Sequence, residues 1–213
     1  MTIRIAALLL VAALAQGARA DAVPAVDADA SIADSPTSIR GLYQVGLVVN
    51  DLDRMLGFYR QATGFAVVST ESVANDAATD RLYGEQNVRF RRAVLQAPNL
   101  RLALTQFGRE RPLRGDRPVQ GPGMTHTCYQ SLAANPGYDR FVDAGLRPLS
   151  RGDGPVDLGG YGVTYAYGFD PEGNMLELEQ LSPEVLKRSG YDDAFSPIDH
   201  PLWMTQAAIA TPD

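Results

Sequence analysis

The first structured stretch of the chain reads Tyr43-Gln44-Val45-Gly46-Leu47-Val48-Val49-Asn50-Asp51, which is typical of a β-strand followed by the start of a helix. The strand pattern returns in Thr125-His126-Thr127-Cys128-Tyr129 and begins a third time in Thr205-Gln206-Ala207-Ala208-Ile209-Ala210-Thr211-Pro212-Asp213. Each copy has one polar, metal-competent residue at the same position of an otherwise apolar strand: Gln44, His126 and Gln206. Repeated modules that each bring one polar group to a shared centre predict a pseudosymmetric binding cup.

The elements that follow the first two copies also repeat. After the first copy, Gly64 ends a predicted helix whose apolar residues have helical spacing: Leu52, Met55, Leu56 and Tyr59. Three β-prone runs come next, at 65–69, 88–96 and 101–107. The second half has a strand at 124–130, a short helix at 138–144, and strands at 148–149, 163–169 and 175–180. Both halves therefore read β-α-β-β-β, which predicts an α+β fold.

The first 20 residues have the features of a secretory signal peptide. Arg4 gives a positive start, an apolar run follows, and Ala18-Arg19-Ala20 forms a small-residue cleavage site. The apolar run is too short to span a bilayer comfortably. We therefore expect a periplasmic or secreted protein whose mature chain begins at Asp21 and does not insert into the membrane.

The composition of the remaining chain indicates a lead-in, one domain of two modules, and a C-terminal tail. Residues 21–40 are rich in Ala, Asp, Ser and Pro without an apolar period, which predicts a disordered lead-in. One domain is expected over 41–182, with module one at 41–108, a Pro-, Gly- and Arg-rich linker at 109–122, and module two at 123–182. Residues 183–213 form a C-terminal tail.

The charge and the cysteine content exclude some functions and structures. The formal charge of −6 becomes −8 when Arg4 and Arg19 are removed with the signal peptide. A chain this acidic is a poor candidate for binding nucleic acid or an anionic membrane surface. Cys128 is the only cysteine, so the fold relies on a conventional core and not on an internal disulfide.

A second motif relates the repeat to a known family. The run Asp170-Pro171-Glu172-Gly173-Asn174-Met175-Leu176-Glu177 resembles the closing motif of the vicinal oxygen chelate superfamily, which includes glyoxalase I, epimerases, extradiol dioxygenases and antibiotic-resistance proteins. The segment from Gln44 to Gly64, with Phe58-Tyr59, resembles the first module of that family. The resemblance implies two βαβββ modules that form a half-open barrel around a central cup, with a divalent metal ion in the cup.

In this family the metal ligands come from the first and last strands of each module. Carried over onto this sequence, the resemblance implies Gln44, His126 and Glu177 as metal ligands, with Glu177 also the catalytic residue. Ala103 stands where glyoxalase I has its fourth ligand, a carboxylate, and this departure counts against glyoxalase I itself. The dioxygenases of the superfamily use two histidines and one glutamate, and Gln44 replaces the first of those histidines.

An amide oxygen, an imidazole and a carboxylate suit a divalent ion such as Zn, Fe, Mn or Ni. Three protein ligands leave positions open for substrate, as catalytic sites require. A structural alternative has His126 satisfied in the core and Glu177 paired with an arginine such as Arg101. Cys128 is expected to behave as a small apolar residue, since no activating base is evident near it.

Two functions remain open on the sequence alone. The first is a metal-dependent enzyme, a lyase, isomerase or dioxygenase that acts on a small oxygen-rich molecule. The second is a metal-free protein that binds a small molecule, as the bleomycin-resistance members of the superfamily do; Ala103 and the shortage of histidine favour it. Two-module chains of this superfamily often pair, which makes a homodimer an expectation of the same resemblance.

The third copy of the strand pattern lies in the C-terminal tail. It is either the start of a further module or a coincidence over a short apolar run. If it is a true copy, residues 203–211 are expected to be extended and to pair with an existing sheet or with a partner chain.

Overall fold

A computed structural model describes residues 42–109, 123–149, 154–157, 159–188 and 202–210. The predicted signal peptide (1–20), the lead-in (21–40) and all of the predicted linker except its first residue lie outside the described residues, as does part of the tail. In the described part of the chain, no helix is both long enough and apolar enough to cross a membrane.

The described residues form two open sheets with short helices. The first half contains β1 (Gln44–Val49), α1 (Leu52–Thr63), β2 (Ala66–Val73), α2 (Ala77–Tyr83), β3 (Phe90–Gln96) and β4 (Arg101–Phe107). The second half contains β5 (Gly123–Leu132), α3 (Gly137–Asp143), β6 (Arg147–Pro148), β7 (Val163–Phe169), β8 (Met175–Leu181), α4 (Pro183–Arg188) and β9 (Trp203–Ala210). The strand orders are β1-β4-β3-β2 and β6-β7-β8-β5-β9. The α+β fold class is confirmed, and the described strands do not close into a barrel.

The ends of α1 are set by the residues that the sequence indicated. Asp51 caps the helix, because its side chain accepts a hydrogen bond from the amide of Arg54 at 3.0 Å. Gly64 ends it in the left-handed conformation, at a φ of 74°, which a residue with a Cβ adopts only at a cost. Met55 and Tyr59 are fully buried on its inner face.

Strand register confirms the internal repeat. The first strand of each module runs parallel to the last, so that Gly46 lies opposite Ala103 and Cys128 lies opposite Glu177. Gln44 and His126 each precede the first member of these pairs by two residues. Gln44 is therefore the structural equivalent of His126, and Ala103 is the equivalent of Glu177.

The two modules share one apolar core, which joins the inner faces of α1 and α3 to both sheets. The ring centroids of Phe58 on α1 and Phe141 on α3 are 6.0 Å apart, in an edge-to-face arrangement. Phe141 also packs on Tyr129 of β5, with centroids 5.1 Å apart. This side of the second sheet is therefore covered by helix, which leaves its opposite face for a binding site.

The turn between β7 and β8 fastens module two to module one. The two carboxylate oxygens of Glu172 accept hydrogen bonds from the backbone amides of Asn50 and Asp51, at 2.7 and 2.8 Å. These amides lie at the N-terminal end of α1, where a negative charge is favoured. Asp170, in the same turn, accepts a hydrogen bond from the buried hydroxyl of Tyr59 at 2.9 Å.

The C-terminal copy of the strand pattern is a strand. β9 pairs antiparallel with β5 and forms the edge of the second sheet. Trp203 and Met204 are fully buried, which fixes this segment to the rest of the domain. Whether it descends from a further module stays a prediction.

Two helices, α2 and α4, were not predicted. None of the residues of α2 is buried, so this helix has no apolar period to detect. Its caps are present in the sequence: Asp76 accepts from the amide of Thr79 at 2.9 Å, and Gly84 ends the helix.

Replacing Glu172 with Ala is expected to lower the free energy of unfolding by about 2 kcal/mol, because two backbone amides at the start of α1 lose a buried, charged acceptor. Glu172→Gln keeps one acceptor oxygen and is expected to lose less. Denaturant unfolding measures both changes. Glu71→Ala is the control, because its half-exposed ion pair with Arg92 is worth less than about 1 kcal/mol. A loss in Glu172→Ala no larger than that of the control would contradict the fastening role.

Candidate active site

The polar residues of the second sheet gather on the face opposite α3, here called the cup face. Strand pairing sets them in two rows that cross four strands. The first row is Tyr167, Glu177, Cys128 and Gln206. The second row is Tyr165, Glu179, Gln130 and Trp203. Since side chains alternate along a strand, residues two apart on β5, β7 and β8 all face the cup.

Glu177 is the centre of the first row, and it is buried. One carboxylate oxygen, Oε1, accepts a hydrogen bond from the hydroxyl of Tyr167. The other, Oε2, accepts a hydrogen bond from Nε2 of Gln206 at 2.9 Å and lies 3.0 Å from Nε2 of His126. Groups from β5, β7 and β9 therefore meet at one carboxylate on β8.

The imidazole of His126 is oriented by Thr125. The Thr125 hydroxyl lies 3.0 Å from Nδ1 of His126 and donates a hydrogen bond to the carbonyl of Ala208 at 3.1 Å. Because that hydroxyl has one hydrogen and a carbonyl cannot donate, we assign the Nδ1–H tautomer to the ring. Nε2 is then the ring atom that faces Glu177, and this buried atom makes no hydrogen bond of acceptable geometry in the described structure.

Two irregularities in the pairing of β5 with β9 shape the cup. The register shifts between Met124 and His126, which leaves Thr125 as an extra residue beside the imidazole. It shifts again at Cys128, where Thr205 is the extra residue on β9. Bulges of this kind re-aim side chains and are frequent next to active sites.

The second row forms a hydrogen-bonded chain. The indole of Trp203 donates to the amide oxygen of Gln130 at 3.1 Å, and the amide nitrogen of Gln130 donates to Glu179. Beyond this row, Trp203 packs with Leu181 and with Leu186 of α4 in a small apolar cluster. This end of the cup face is therefore closed by α4.

The other end of the cup face is accessible. A groove lined by Gly46 and Val48 of β1, by Met124, and by Asn174 reaches His126, whose side chain is 11% exposed. The site thus combines a buried carboxylate with a route by which a small molecule reaches the imidazole beside it.

Cys128 lies between these groups without the character of a nucleophile. Its sulfur and carboxylate oxygens of Glu177 and Glu179 all lie within 4.8 Å of one another, an arrangement that could hold a metal ion. Burial, followed by the negative charge of Glu179, raises the pKa of the Cys128 thiol well above its usual range. Burial likewise raises the pKa of the Tyr167 hydroxyl, which also donates to Glu177, so this tyrosine remains a hydrogen-bond donor.

The structure brings together two of the three predicted ligands, His126 and Glu177. Gln44 is exposed on β1, on the same strand face as Gly46 and Val48 of the groove. Among the described residues, its amide makes no hydrogen bond with His126 or Glu177. Its role stays a prediction. Arg101 does not pair with Glu177: its guanidinium binds Gln96 at 3.2 Å and lies over the ring of Tyr43.

Sequence reasoning placed Gln206 in the repeated pattern but did not place it beside Glu177. The shared position of Gln44, His126 and Gln206 in the three strand copies marked Gln206 as a candidate polar residue, but it did not give its partner. Tyr165 and Tyr167 of β7 face the cup, whereas Tyr161 lies in the preceding loop and is 76% exposed.

The family model for the Glyoxalase/Bleomycin resistance protein/Dioxygenase superfamily matches residues 41–178. The match covers more than half of the sequence, so the chain belongs to this superfamily, and the resemblance seen in residues 170–177 is confirmed. Members of this superfamily often bind a divalent metal ion and a small-molecule substrate. No curated protein matches the sequence.

The chain is similar to several solved structures, one of which supports the fold. A glyoxalase-family protein from Bacillus cereus superposes with a TM-score of 0.58 at 17% identity, over 68% of this chain and 97% of that one. A glyoxalase-family protein from Enterococcus faecalis gives a TM-score of 0.48 at 15% identity, over 67% and 98% of the two chains. Glyoxalase I from Zea mays gives 0.46 at 20% identity, over 66% of this chain and only 44% of the maize chain. The Bacillus cereus likeness supports the fold alone.

The thiol of Cys128 is expected to react with a thiol reagent at least about ten-fold more slowly in the folded protein than in denaturant at pH 8.5. The thiolate is the reactive form, and the raised pKa keeps the folded thiol protonated at that pH. The rate of alkylation by iodoacetamide, followed by mass spectrometry, measures this difference. Equal rates in the folded and denatured states would contradict the assignment of Cys128 as inert.

Proposed function

We propose that the protein is a divalent-metal-dependent enzyme of this superfamily, with His126 and Glu177 among the metal ligands and a small oxygen-rich molecule as substrate. One observation carries the proposal. The buried Nε2 of His126 makes no hydrogen bond of acceptable geometry in the described structure and lies 3.0 Å from the Glu177 carboxylate. In the neutral Nδ1–H form of the ring, Nε2 would face the carboxylate oxygen with a lone pair, which is repulsive unless a cation lies between the two atoms.

The donor atoms fit a metal ion. Nε2 of His126 and Oε2 of Glu177 are 3.0 Å apart, so the two atoms are close enough that both would be available to a single divalent ion. The hydrogen bond from Nδ1 of His126 to Thr125 is the second contact that metal-binding imidazoles need for their orientation. Nitrogen and oxygen donors favour Zn, Fe, Mn or Ni, as the sequence predicted.

A bound divalent ion would polarise the oxygens of a substrate and stabilise negative charge that develops on them. The residues of the chain have separate tasks. Thr125 holds the imidazole, and Tyr167 holds Oε1 of Glu177. Glu177 is the proposed catalytic carboxylate, and the groove beside β1 is the proposed route for the substrate. Gln44, on that strand, is the third ligand that the sequence predicted, and this part of the prediction is untested.

The features of residues 1–20 support a periplasmic or secreted location for this enzyme, and the family resemblance supports a homodimer. Both belong to the proposal. N-terminal sequencing of exported protein that still begins at Met1 would contradict the location, and a monomeric mass in solution would contradict the dimer.

A metal-free binding protein is the second candidate. It is favoured by the protein contacts of Glu177, since Tyr167 and Gln206 already donate hydrogen bonds to its two oxygens. It is also favoured by Ala103, which offers no ligand from module one. In this case His126 would be protonated and would pair with Glu177.

Titration with Zn²⁺ by calorimetry, together with metal analysis of the purified protein, separates the two candidates. The wild-type protein is expected to bind one ion, and His126→Ala and Glu177→Gln are each expected to weaken binding at least about ten-fold, because each removes a ligand. Glu71→Gln, on the exposed β2, is the control and is expected to leave the affinity unchanged. A wild-type protein that binds no Zn²⁺ would contradict the metal proposal and favour the binding protein.

A further inference from the structure

We propose that Gln206 on β9, and not Gln44 on β1, supplies the third protein ligand of this ion. The proposal rests on the proposed function, and it assigns a metal-binding role to a strand outside the two βαβββ modules.

The contacts at Glu177 carry the proposal. Oε2 of this carboxylate lies 2.9 Å from Nε2 of Gln206 and 3.0 Å from Nε2 of His126. The end of the Gln206 side chain and the free ring nitrogen of His126 therefore meet at the same oxygen. We therefore infer that an ion held by His126 and Glu177 would lie beside the Gln206 amide.

Strand geometry explains how Gln206 reaches this point. Gln206 and Glu177 lie on either side of Cys128 in the first row, two strand spacings or about 9.6 Å apart. Two residues at this separation contact each other only if both have long side chains and the residue between them has a short one. Glutamine, cysteine and glutamate meet these conditions.

A bulge turns Gln206 toward the cup. Trp203 faces the cup, so strict alternation along β9 would place Thr205 on that face and Gln206 on the other. The register shift inserts Thr205 as an extra residue, which restores Gln206 and then Ala208 to the cup face. The irregularity thus has a local consequence, the delivery of one polar side chain to Glu177.

The chemistry of the amide permits both states of the site. Without an ion, the NH₂ group of Gln206 donates to the carboxylate, as in this structure. Rotation of the amide by a half turn exchanges its nitrogen and oxygen in the same volume, and the oxygen is then available to an ion. Amide oxygens are ligands for hard and borderline divalent ions.

Gln44 is the equivalent glutamine of module one, and it lacks these contacts. It is exposed at the start of an edge strand and makes no hydrogen bond with His126 or Glu177 among the described residues. The two glutamines therefore form a matched pair of test sites, with the same side chain and different predicted roles.

The test is a titration of the full mature chain with Co²⁺, followed by calorimetry and by the visible absorption of the bound ion. Gln206→Leu is expected to weaken Co²⁺ binding about ten-fold and to change the absorption spectrum, because an oxygen ligand is lost. Gln206→Glu is expected to tighten binding and to shift the spectrum, because a charged oxygen replaces a neutral one. Gln44→Leu is expected to change the affinity less than two-fold and to leave the spectrum unchanged.

Gln206→Glu also separates a ligand from a residue that only supports Glu177. In the metal-free protein it places two carboxylates side by side, so the melting temperature is expected to fall and to recover when Co²⁺ is added. A supporting role alone predicts weaker Co²⁺ binding in this variant, through displacement of Glu177, and that result would overturn the proposal.

The remaining outcomes separate a failure of the role of Gln206 from a failure of the proposed function. If the wild-type protein binds Co²⁺, but only Gln44→Leu weakens binding and changes the spectrum, Gln206 is not the ligand and the proposed function stands. If the wild-type protein binds neither Co²⁺ nor Zn²⁺, the proposed function fails and the role of Gln206 fails with it.

Discussion

The buried carboxylate of Glu177 is the constraint on which the second sheet depends. A carboxylate removed from water is strongly destabilising unless donors or positive charge surround it. Three other strands supply these groups: Tyr167 from β7, His126 from β5 and Gln206 from β9. A slip of one residue in any of these pairings would turn its polar group to the opposite face. The registers of four strands are therefore coupled through a single charge.

The same backbone in module one carries no such charge. Ala103 occupies the position equivalent to Glu177, with Gly46 and Val94 as its neighbours across the sheet, where module two has Cys128 and Tyr167. Without a carboxylate, this position needs no donors, and small and apolar residues suffice. The repeat thus preserves the strand pairing that builds a module while the chemistry is kept in one copy, which illustrates how function is a property of a site and not of a fold.

The features that the sequence predicted correctly are those that local patterns determine, such as helix caps and strand patterns. The ends of α1 and the bounds of β4 and β7 follow from caps and strand patterns, and the structure has them. The family resemblance implied that His126 and Glu177 share a site, and their side chains lie 3.0 Å apart. The helix α2 was not predicted, because none of its residues is buried and its sequence therefore has no apolar face. The contact of Gln206 with Glu177 was not predicted, because strict alternation along β9 places Gln206 on the face away from the cup. The bulge at Thr205 reverses this alternation.

The position of Trp203 gives the molecule an internal optical reporter. It is the only tryptophan of the chain, and its indole is fully buried between α4 and the hydrogen-bonded row that ends at Glu179. Intrinsic tryptophan emission therefore comes from the cup and from nowhere else. β9 also follows the other strands of the cup in the chain and pairs with β5 across a long sequence separation, a kind of contact that forms slowly. We expect the change in emission during refolding to lag behind the formation of helix seen by circular dichroism, and simultaneous signals would show that the cup is not the last part to assemble.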